Sequence, residues 1–565
     1  MRFAELRSPQ ASCGRPPYGL GKASRWARIP LTERIGFKYS QNEMIGQSRV
    51  RSAFAVFMAA FLSFLGLQFA SPDFVDSDAY YHIVLAELPA HRLDARFPWL
   101  SATTWRDEFA DAHWLYHALL WPFVAVDRIG GAKVATALFS AIAATTLFGV
   151  LRYLQVPLPA LWTFAAFAFS VGGLIRYNLV KVNALALTFL LLAMWAIWER
   201  RWKVLLVLSA LFTLAYGAAA LLLLVLTGVF TAVRYAETQN WLLRWERTEA
   251  GRGFPWQPIG YTLAGIALGL LLHPHFPTAL ILFTRAFQVI NRPPATVFKW
   301  HEWRGVSPQG LLVGSLLLTV LWLGGIGLWL RQKRWTGREV PIVLISVLLC
   351  AMTLRHGRFI EYWAPFAALS AAVTLREETQ RWFKKIAADW QHWIGLILLA
   401  SIPVVVNVGV TITFLRSSYN IHSFKGAALW LAEHSEEGAI VFHTHWSLFD
   451  ALFFWNRRNY YIVGADPVYL YHYDPGLYWK WWHILRDHEG TCKAEKCPPM
   501  SLEEQDRSIV EAIVRDFRAS YVLVVKSEPL GNPRLRATLD RRRDVFERVY
   551  DDPHVSVYKV RTRQP

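Results

Sequence analysis

The sequence predicts a polytopic α-helical membrane protein of about 11 transmembrane helices, continued at its C-terminus by an α/β domain. Three observations predict it. Long apolar runs recur from Ala53 to Leu415, separated by short charged segments. Of the 565 residues, 54% are hydrophobic and 15% aromatic, with 27 tryptophans. That excess suits a bilayer with aromatic belts better than a string of soluble domains. Beyond Arg416 the apolar runs shorten to strand length and alternate with a helical pattern.

The chain divides accordingly into residues 1–50, 51–415 and 416–565. The first segment is basic, with Pro and Gly scattered through it, and reads as a disordered cytoplasmic tail. Met44, followed by a compact basic flank, is a second candidate start. Ala53–Ala70 is long enough to span and has no small-residue cleavage site, so it reads as an uncleaved anchor. Further candidate spans are Val134–Leu151, Leu161–Ile175, Ala184–Trp198, Val204–Ala215, Ala218–Val233, Ile259–Leu272, Leu311–Leu330, Val340–Leu354, Ile360–Leu375 and Trp393–Leu415. Trp114–Val126 is apolar but contains His117 and Pro122, which suits the interface better than a crossing.

The formal net charge is +18. Basicity of that size fits nucleic acid or the positive-inside rule. No helix-turn-helix, zinc-finger or RNP pattern is present and the basic residues sit between apolar runs, so nucleic acid is not an expected partner. With the N-terminus cytoplasmic, the inside loops include Glu199–Lys203, Arg331–Arg334 and Arg381–Lys385, all basic. The outside then holds an acidic first loop, the His273–Pro277 turn and Arg355–Arg358. Chemistry-bearing segments thus fall on one face.

In the tail, Gly438–His443, Tyr460–Gly464 and Tyr521–Lys526 read as strands and Glu503–Phe517 as a helix with Ile509, Ile513 and Val514 on one face. This domain is expected outside the cytoplasm, where Cys492 and Cys497 can form a local disulfide. A metal half-site at these cysteines lacks a second ligand pair. Cys350 lies in an apolar run and reads as packing.

The first external loop, residues 71–131, is where charge concentrates: Ser71–His113 carries eight carboxylates against three arginines. Asp76 and Asp78, at i and i+2, can share a divalent cation such as Mg or Mn, or divide the roles of base and orienter. Tyr80, Tyr81 and His82 flank them; the plainer reading is a solvated loop with an interfacial aromatic belt. Arg355, Arg358, His356 and Glu361 between two apolar runs are costly unless paired or lining a cavity. Arg176 and Lys181 could grip phosphate or snorkel to headgroups. His273 and His275 could ligate metal, bind diphosphate or cap a helix. His443 and His445 share one strand face, as ligands or as core histidines. Tyr469–Trp482, dense in aromatics, suits sugar stacking, a membrane surface or plain packing.

The segment Asp76–Ile83, DSDAYYHI, placed directly after the first span, resembles the GT-C superfamily of membrane glycosyltransferases. Its nearest likeness is the D-x-D-A-Y-Y-H type motif of oligosaccharyltransferase catalytic subunits. Asp111–Tyr116 resembles the E-x-H-P-P-L-Y stretch of protein mannosyltransferases and aminoarabinose transferases in the same superfamily. The resemblance implies an inverting enzyme. It would transfer a sugar from a polyprenyl-phosphate donor, held by membrane lipid, to an extracytoplasmic acceptor, a glycan, lipid or protein. The expected location is the bacterial inner membrane, multi-pass, with the C-terminal domain outside. Asp78 would be the base and Asp76 its neighbour. Asp111 or Glu108 would be the second acid, with His113 orienting Asp111. His82, Arg176, Lys181, His273, His275, Arg355, Arg358 and Glu361 would bind substrate, the two last arginines at the donor phosphate.

Two departures narrow this. The turn Arg176–Asn183 has no acid where oligosaccharyltransferases carry a second acidic motif. Their WWD-type acceptor motif is only echoed by His445–Asp450. Neither a full metal cage nor sequon-specific Asn glycosylation is therefore expected. The rival classes are a transporter or flippase, which would show mid-span charges and pseudo-repeats, and a degenerate GT-C scaffold that only binds polyprenyl lipid.

Overall fold

The computed structural model describes residues 31–88, 96–238, 255–281 with 284, 304–332, 335–386, 390–417, 420–526 and 530–561. Of the disordered tail expected over residues 1–50, residues 1–30 lie outside them, while residues 31–50 are helical and begin helix α1 (Leu31–Gln68). The chain divides into two compact units, Met1–Phe54 and Ala55–Pro565, and the following concerns the second.

Apolar helices dominate it up to Arg416. Among the described residues, four helices are long and apolar enough to cross a bilayer, from Val50, Arg128, Ala220 and Ala400. Two bent pairs raise the number to six if each counts as one span: Pro159–Ala168 with Val171–Tyr177 at 88°, and Pro308–Gly314 with Leu316–Gln332 at 105°. Asn183–Trp198, Trp202–Ala215 and Gln257–Leu271 are apolar but shorter. The expected count of about 11 therefore stands against four to six by length. Leu161–Ile175 and Leu311–Leu330, expected as straight spans, are each broken at a serine. The Ser315 hydroxyl donates to Ser170 Oγ at 2.8 Å, and Ser170 in turn accepts the Gly173 N–H. The two breaks thus meet and satisfy polar groups that lipid could not. Hydropathy is continuous across both, so it carries no sign of them.

Helix Ile360–Thr374 is the hub, with every residue buried. Its run of Ala364, Ala367, Ala368, Ser370, Ala371 and Ala372 lets neighbours approach closely, as membrane helix packing favours. Trp363 is fully buried and meets Trp322 edge-on at 5.8 Å. At its first turn Glu361 accepts from Arg176 Nε at 2.7 Å, and the Tyr177 hydroxyl donates to the Glu361 carbonyl. A second close contact joins Gln257–Leu271 to Trp202–Ala215: a Cβ on Gly265 would sit 2.4 Å from the Leu206 carbonyl oxygen.

Residues 420–561 form a mixed five-stranded sheet, in the order β2 (Tyr460–Tyr461), β1 (Ile440–His443), β3 (Tyr521–Val525), β5 (Val555–Val560) and β4 (Phe546–Asp551). β1 runs parallel to β2 and β3, while β5 is antiparallel to β3 and β4. β4 and β5 were not expected from the sequence: Glu547, Arg548 and Asp551 blur the apolar signal of β4, and Ser556 and Lys559 that of β5. β3 is buried on both faces. Val522 and Val524 pack with the domain's own helices, whereas Tyr521, Leu523 and Val525 join the core that reaches the bundle. Two-sided burial is what makes such a strand read as a continuous apolar run. Cys492 and Cys497 are joined by a disulfide, as expected.

The first loop docks on this sheet. Leu100 bridges Tyr461 at the β2 edge, with Ser101 N–H on the Tyr461 carbonyl at 2.8 Å and Tyr461 N–H on the Trp99 carbonyl at 2.7 Å. Phe97 meets Phe449 and Phe453 edge-on, and Trp99 lies tilted against Phe453. Arg128 lies over the Phe454 ring at 3.6 Å and holds Glu87 at 2.5 Å. The far end of the bundle is basic: helix Arg128–Tyr153 ends where Tyr153 donates to Glu199, beside Arg200 and Arg201, and where Arg376 donates to the Leu154 carbonyl.

Replacing Glu361 by Ala takes the carboxylate away from a buried guanidinium. The expected loss of stability is about 3–5 kcal/mol, read as a lower thermal midpoint of the detergent-solubilised chain. Arg176→Met with Glu361→Met should recover most of it.

Candidate active site

Helix α2, Asp78–Glu87, opens the site. Its first free amide is capped from two residues earlier: Asp78 N–H donates to Asp76 Oδ1 at 3.2 Å. The other Asp76 oxygen meets Lys181 Nζ at 2.7 Å, and Asp78 Oδ2 meets the same ammonium at 2.9 Å. Lys181 comes from the turn that follows helix Val171–Tyr177. Charge attraction between an acid-rich loop and a turn that has bases and no acids favours their meeting.

One helical turn beyond Asp78, His82 lies on the same face. It faces helix α3, Trp114–Val124, whose first turn presents His117. Asp111 Oδ2 and His117 Nδ1 are 2.6 Å apart, and His117 Nε2 and His82 Nδ1 2.8 Å apart. Burial pushes the Asp111 carboxyl up, but the hydrogen-bonded His117 and nearby His113 outweigh it and hold it at about 2. Asp111 is therefore an acceptor. It accepts from His117 Nδ1, His117 Nε2 and His82 Nδ1 share the next hydrogen bond, and His82 also lines the cavity. Burial, then the neighbouring His117, keeps His82 well below the usual imidazole range and so neutral.

His273 and His275 stand behind this chain. The Asp111 N–H donates to His275 Nδ1 at 3.2 Å, His273 Nε2 donates to the Asp111 carbonyl at 3.0 Å, and His275 N–H donates to His273 Nδ1 at 3.1 Å. They brace the Asp111 backbone and do not line the cavity.

That cavity, about 450 Å³, is bounded by Asp76, Asp78, His82, His113, Lys181 and Arg358 on the bundle side. The tail closes it with Asp450, Asp466, Trp446 and Tyr469. Tyr81, Trp105 and Tyr216 add rings suited to the apolar face of a sugar. Arg358 is set by the Tyr216 hydroxyl, and Tyr216 stacks near His113 at 5.1 Å. Asp450 sits in the first turn of helix Leu448–Trp455, against α2. Burial, then the charge of Asp78, pushes its carboxyl well above the usual range, against a hydrogen bond from Ser77. Burial likewise raises Asp466 to about 7, against the Val468 N–H it accepts at 2.9 Å.

The expected residues thus separate into layers. Asp76, Asp78, His82, His113, Lys181 and Arg358 line one cavity. Asp111 lies one shell back, held by His117, while His113 gives it only a backbone N–H at 2.9 Å. His117 was placed by sequence only in an interfacial helix; its spacing of four from His113 was the available signal. Glu108 is exposed and outside the cavity, because it follows the turn Thr104–Arg106 on the solvent side. Arg355, at the exposed end of helix Glu339–Arg355, is outside it as well, since the turn at Gly357–Phe359 aims only Arg358 inward. Arg176 and Glu361 bind each other within the bundle and are not cavity residues. Asp450 was part of the echoed acceptor motif, whereas Asp466 had no sequence signal. His443 is a buried core residue and His445 lines the cavity.

A divalent cation at Asp76 and Asp78 fits these residues poorly. The Lys181 ammonium stands between the same two carboxylates, within 3 Å of each. Among the described residues, the cluster with metal-ligand spacing is His483 with Cys492 and Cys497, far along the chain and already holding a disulfide.

No family model and no curated protein matches the chain. Solved structures do. The archaeal oligosaccharyltransferase AglB from Archaeoglobus fulgidus, in complex with an inhibitory peptide and a dolichol-phosphate, aligns at TM-score 0.61 and 13% identity, over 84% of this chain and 70% of that one. The apo form of the Archaeoglobus fulgidus oligosaccharyltransferase aligns at 0.57 and 13% identity, over 84% and 69%. ArnT from Cupriavidus metallidurans in the apo state aligns at 0.50 and 11% identity, over 91% and 98%. The fold is that of the GT-C membrane glycosyltransferases.

Two outcomes test this geometry. Asp466 binds its proton more tightly folded than unfolded, where a carboxyl titrates near ~3.9. Its stabilising effect is complete below that value and is lost as pH rises through about 7. The thermal midpoint of wild type should fall across this window more than that of Asp466→Asn; equal falls contradict the assignment. In histidine-labelled protein, nitrogen NMR should show His82 neutral and held in one tautomer, and His117→Phe should allow both.

Proposed function

We propose that this chain is an inverting GT-C glycosyltransferase that moves a sugar from a polyprenyl-phosphate carrier to an acceptor outside the cytoplasm. The observation that carries this is the single cavity joining Asp76 and Asp78 of the first loop, Lys181 and Arg358 of the bundle, and Asp450 of the tail. Asp78 is the base, its side chain 37% exposed to the cavity against 22% for Asp76. Arg358 and Lys181 meet the charge that develops on the phosphate as it leaves. The rings of Tyr81, Trp105 and Tyr469 seat the sugar. His82 accepts a proton relayed from the acceptor, and Asp111 with His117 fixes its tautomer.

The basic end of the bundle, near Arg200, Arg201 and Arg376, supports an inward orientation for that end. The cavity and the residues 416–565 then face outward, in the inner membrane of a bacterium. A donor carried by a polyprenyl phosphate agrees with the dolichol-phosphate bound by the oligosaccharyltransferase of similar fold.

The test is transfer by the purified chain in nanodiscs from a panel of polyprenyl-phosphate sugars. Asp78→Asn should lower turnover by about 10²–10⁴-fold while polyprenyl-phosphate binding persists. Unchanged turnover would remove Asp78 from the base role. Wild type that binds the lipid but transfers no sugar from any donor would make the protein a lipid-binding scaffold.

A further inference from the structure

We propose that the Lys181 ammonium is a built-in replacement for a divalent cation at Asp76 and Asp78, so that the site works without metal and becomes a metal site only when the lysine is removed. The proposal takes its purpose from the transfer reaction above, but the cation chemistry is testable without a sugar donor.

The geometry is that of a cation position already filled. Lys181 Nζ is 2.7 Å from Asp76 Oδ2 and 2.9 Å from Asp78 Oδ2, with the lysine side chain only 11% exposed. Asp76 has both oxygens engaged, since Oδ1 takes the Asp78 N–H. A hard divalent ion needs about six oxygen ligands and would here sit against a fixed positive charge.

The ammonium is also delivered with little freedom. Its turn is buried at Asn178, 2% exposed, and at Val182, 2% exposed. Gln68 Nε2 donates to the Asn178 carbonyl at 2.7 Å, Lys181 N–H donates to the Leu179 carbonyl at 2.8 Å, and Asn183 Nδ2 donates to the Arg176 carbonyl at 3.2 Å. A metal ion can leave; this charge cannot. It offsets half the charge of the paired acids in the resting site and stays to meet a phosphate oxygen when the donor arrives. Without the lysine, Asp76 and Asp78 face a cavity that also holds Asp450 and Asp466, an oxygen-rich set with the composition a hard cation prefers.

Manganese is the probe, measured on the full chain in nanodiscs by its electron paramagnetic resonance and by thermal midpoint with Mn²⁺ or with EDTA. Wild type should bind no stoichiometric Mn²⁺ and show the same midpoint in both. Lys181→Ala should bind one Mn²⁺ at least about 100-fold more tightly than wild type, gain thermal stability from it, and lose both on addition of Asp76→Asn. Lys181→Ser is the second variant if the alanine protein does not fold.

Stoichiometric Mn²⁺ in wild type that Asp78→Asn removes would overturn the proposal. So would folded Lys181 variants that bind none. If neither variant folds, the wild-type measurement decides alone. Failure of the transferase reading would appear differently, as absent sugar transfer with this metal behaviour intact.

Discussion

Charge balance inside a cavity of about 450 Å³ is the constraint on which the rest of the structure turns. Four carboxyl groups enter it, from two parts of the chain, together with Lys181 and Arg358. Carboxylates at such density repel unless they are paired or protonated. Both remedies are present. Asp76 and Asp78 share one ammonium, whereas burial holds Asp450 and Asp466 toward their neutral forms. His82 and His113 stay neutral for the same reason, burial first. Two paired acids against two cations leave the resting cavity close to neutral, and an incoming phosphate then finds fixed donors that need little reorganisation.

The bundle exists, in this view, to hold those charges at fixed positions. The Arg176–Glu361 pair ties the helix before the Lys181 turn to the hub helix after Arg358. The cations that line the cavity thus have their backbones coupled through an ion pair that never reaches it. The serine-linked breaks at Ser170 and Ser315 serve the same end, by turning helices where the turn must fall.

Much of this was legible in the sequence, and the pattern of what was not is physical. Apolar runs fix where helices lie but not whether they bend, because hydropathy is blind to a hydrogen bond between two serines. β3 announced itself by two-sided burial, while β4 carries Glu547, Arg548 and Asp551 and β5 is interrupted by Ser556 and Lys559, and neither did. Asp76, Asp78, Lys181 and Arg358 were readable because charge is costly beside a membrane and therefore conspicuous. Glu108 and Arg355 carried the same signal and lie elsewhere, since sequence cannot tell which way a turn aims a side chain. Asp466 enters through packing between segments distant in the chain, which no local pattern encodes, whereas the His117–Asp111 contact spans six residues and depends on how helix α3 begins.

The docking of Leu100 on Tyr461 has a consequence for biosynthesis. The residues it joins, represented by the Ser101–Tyr461 hydrogen bond, are 360 positions apart. At about 5–20 residues per second, the first loop waits roughly 20–70 s after synthesis before its partner strand exists. During that interval the acidic loop has no sheet edge to seal it and no Asp450 or Trp446 above it. The first loop is thus made well before the pocket can be complete, and the last quarter of the polypeptide supplies the parts that finish it.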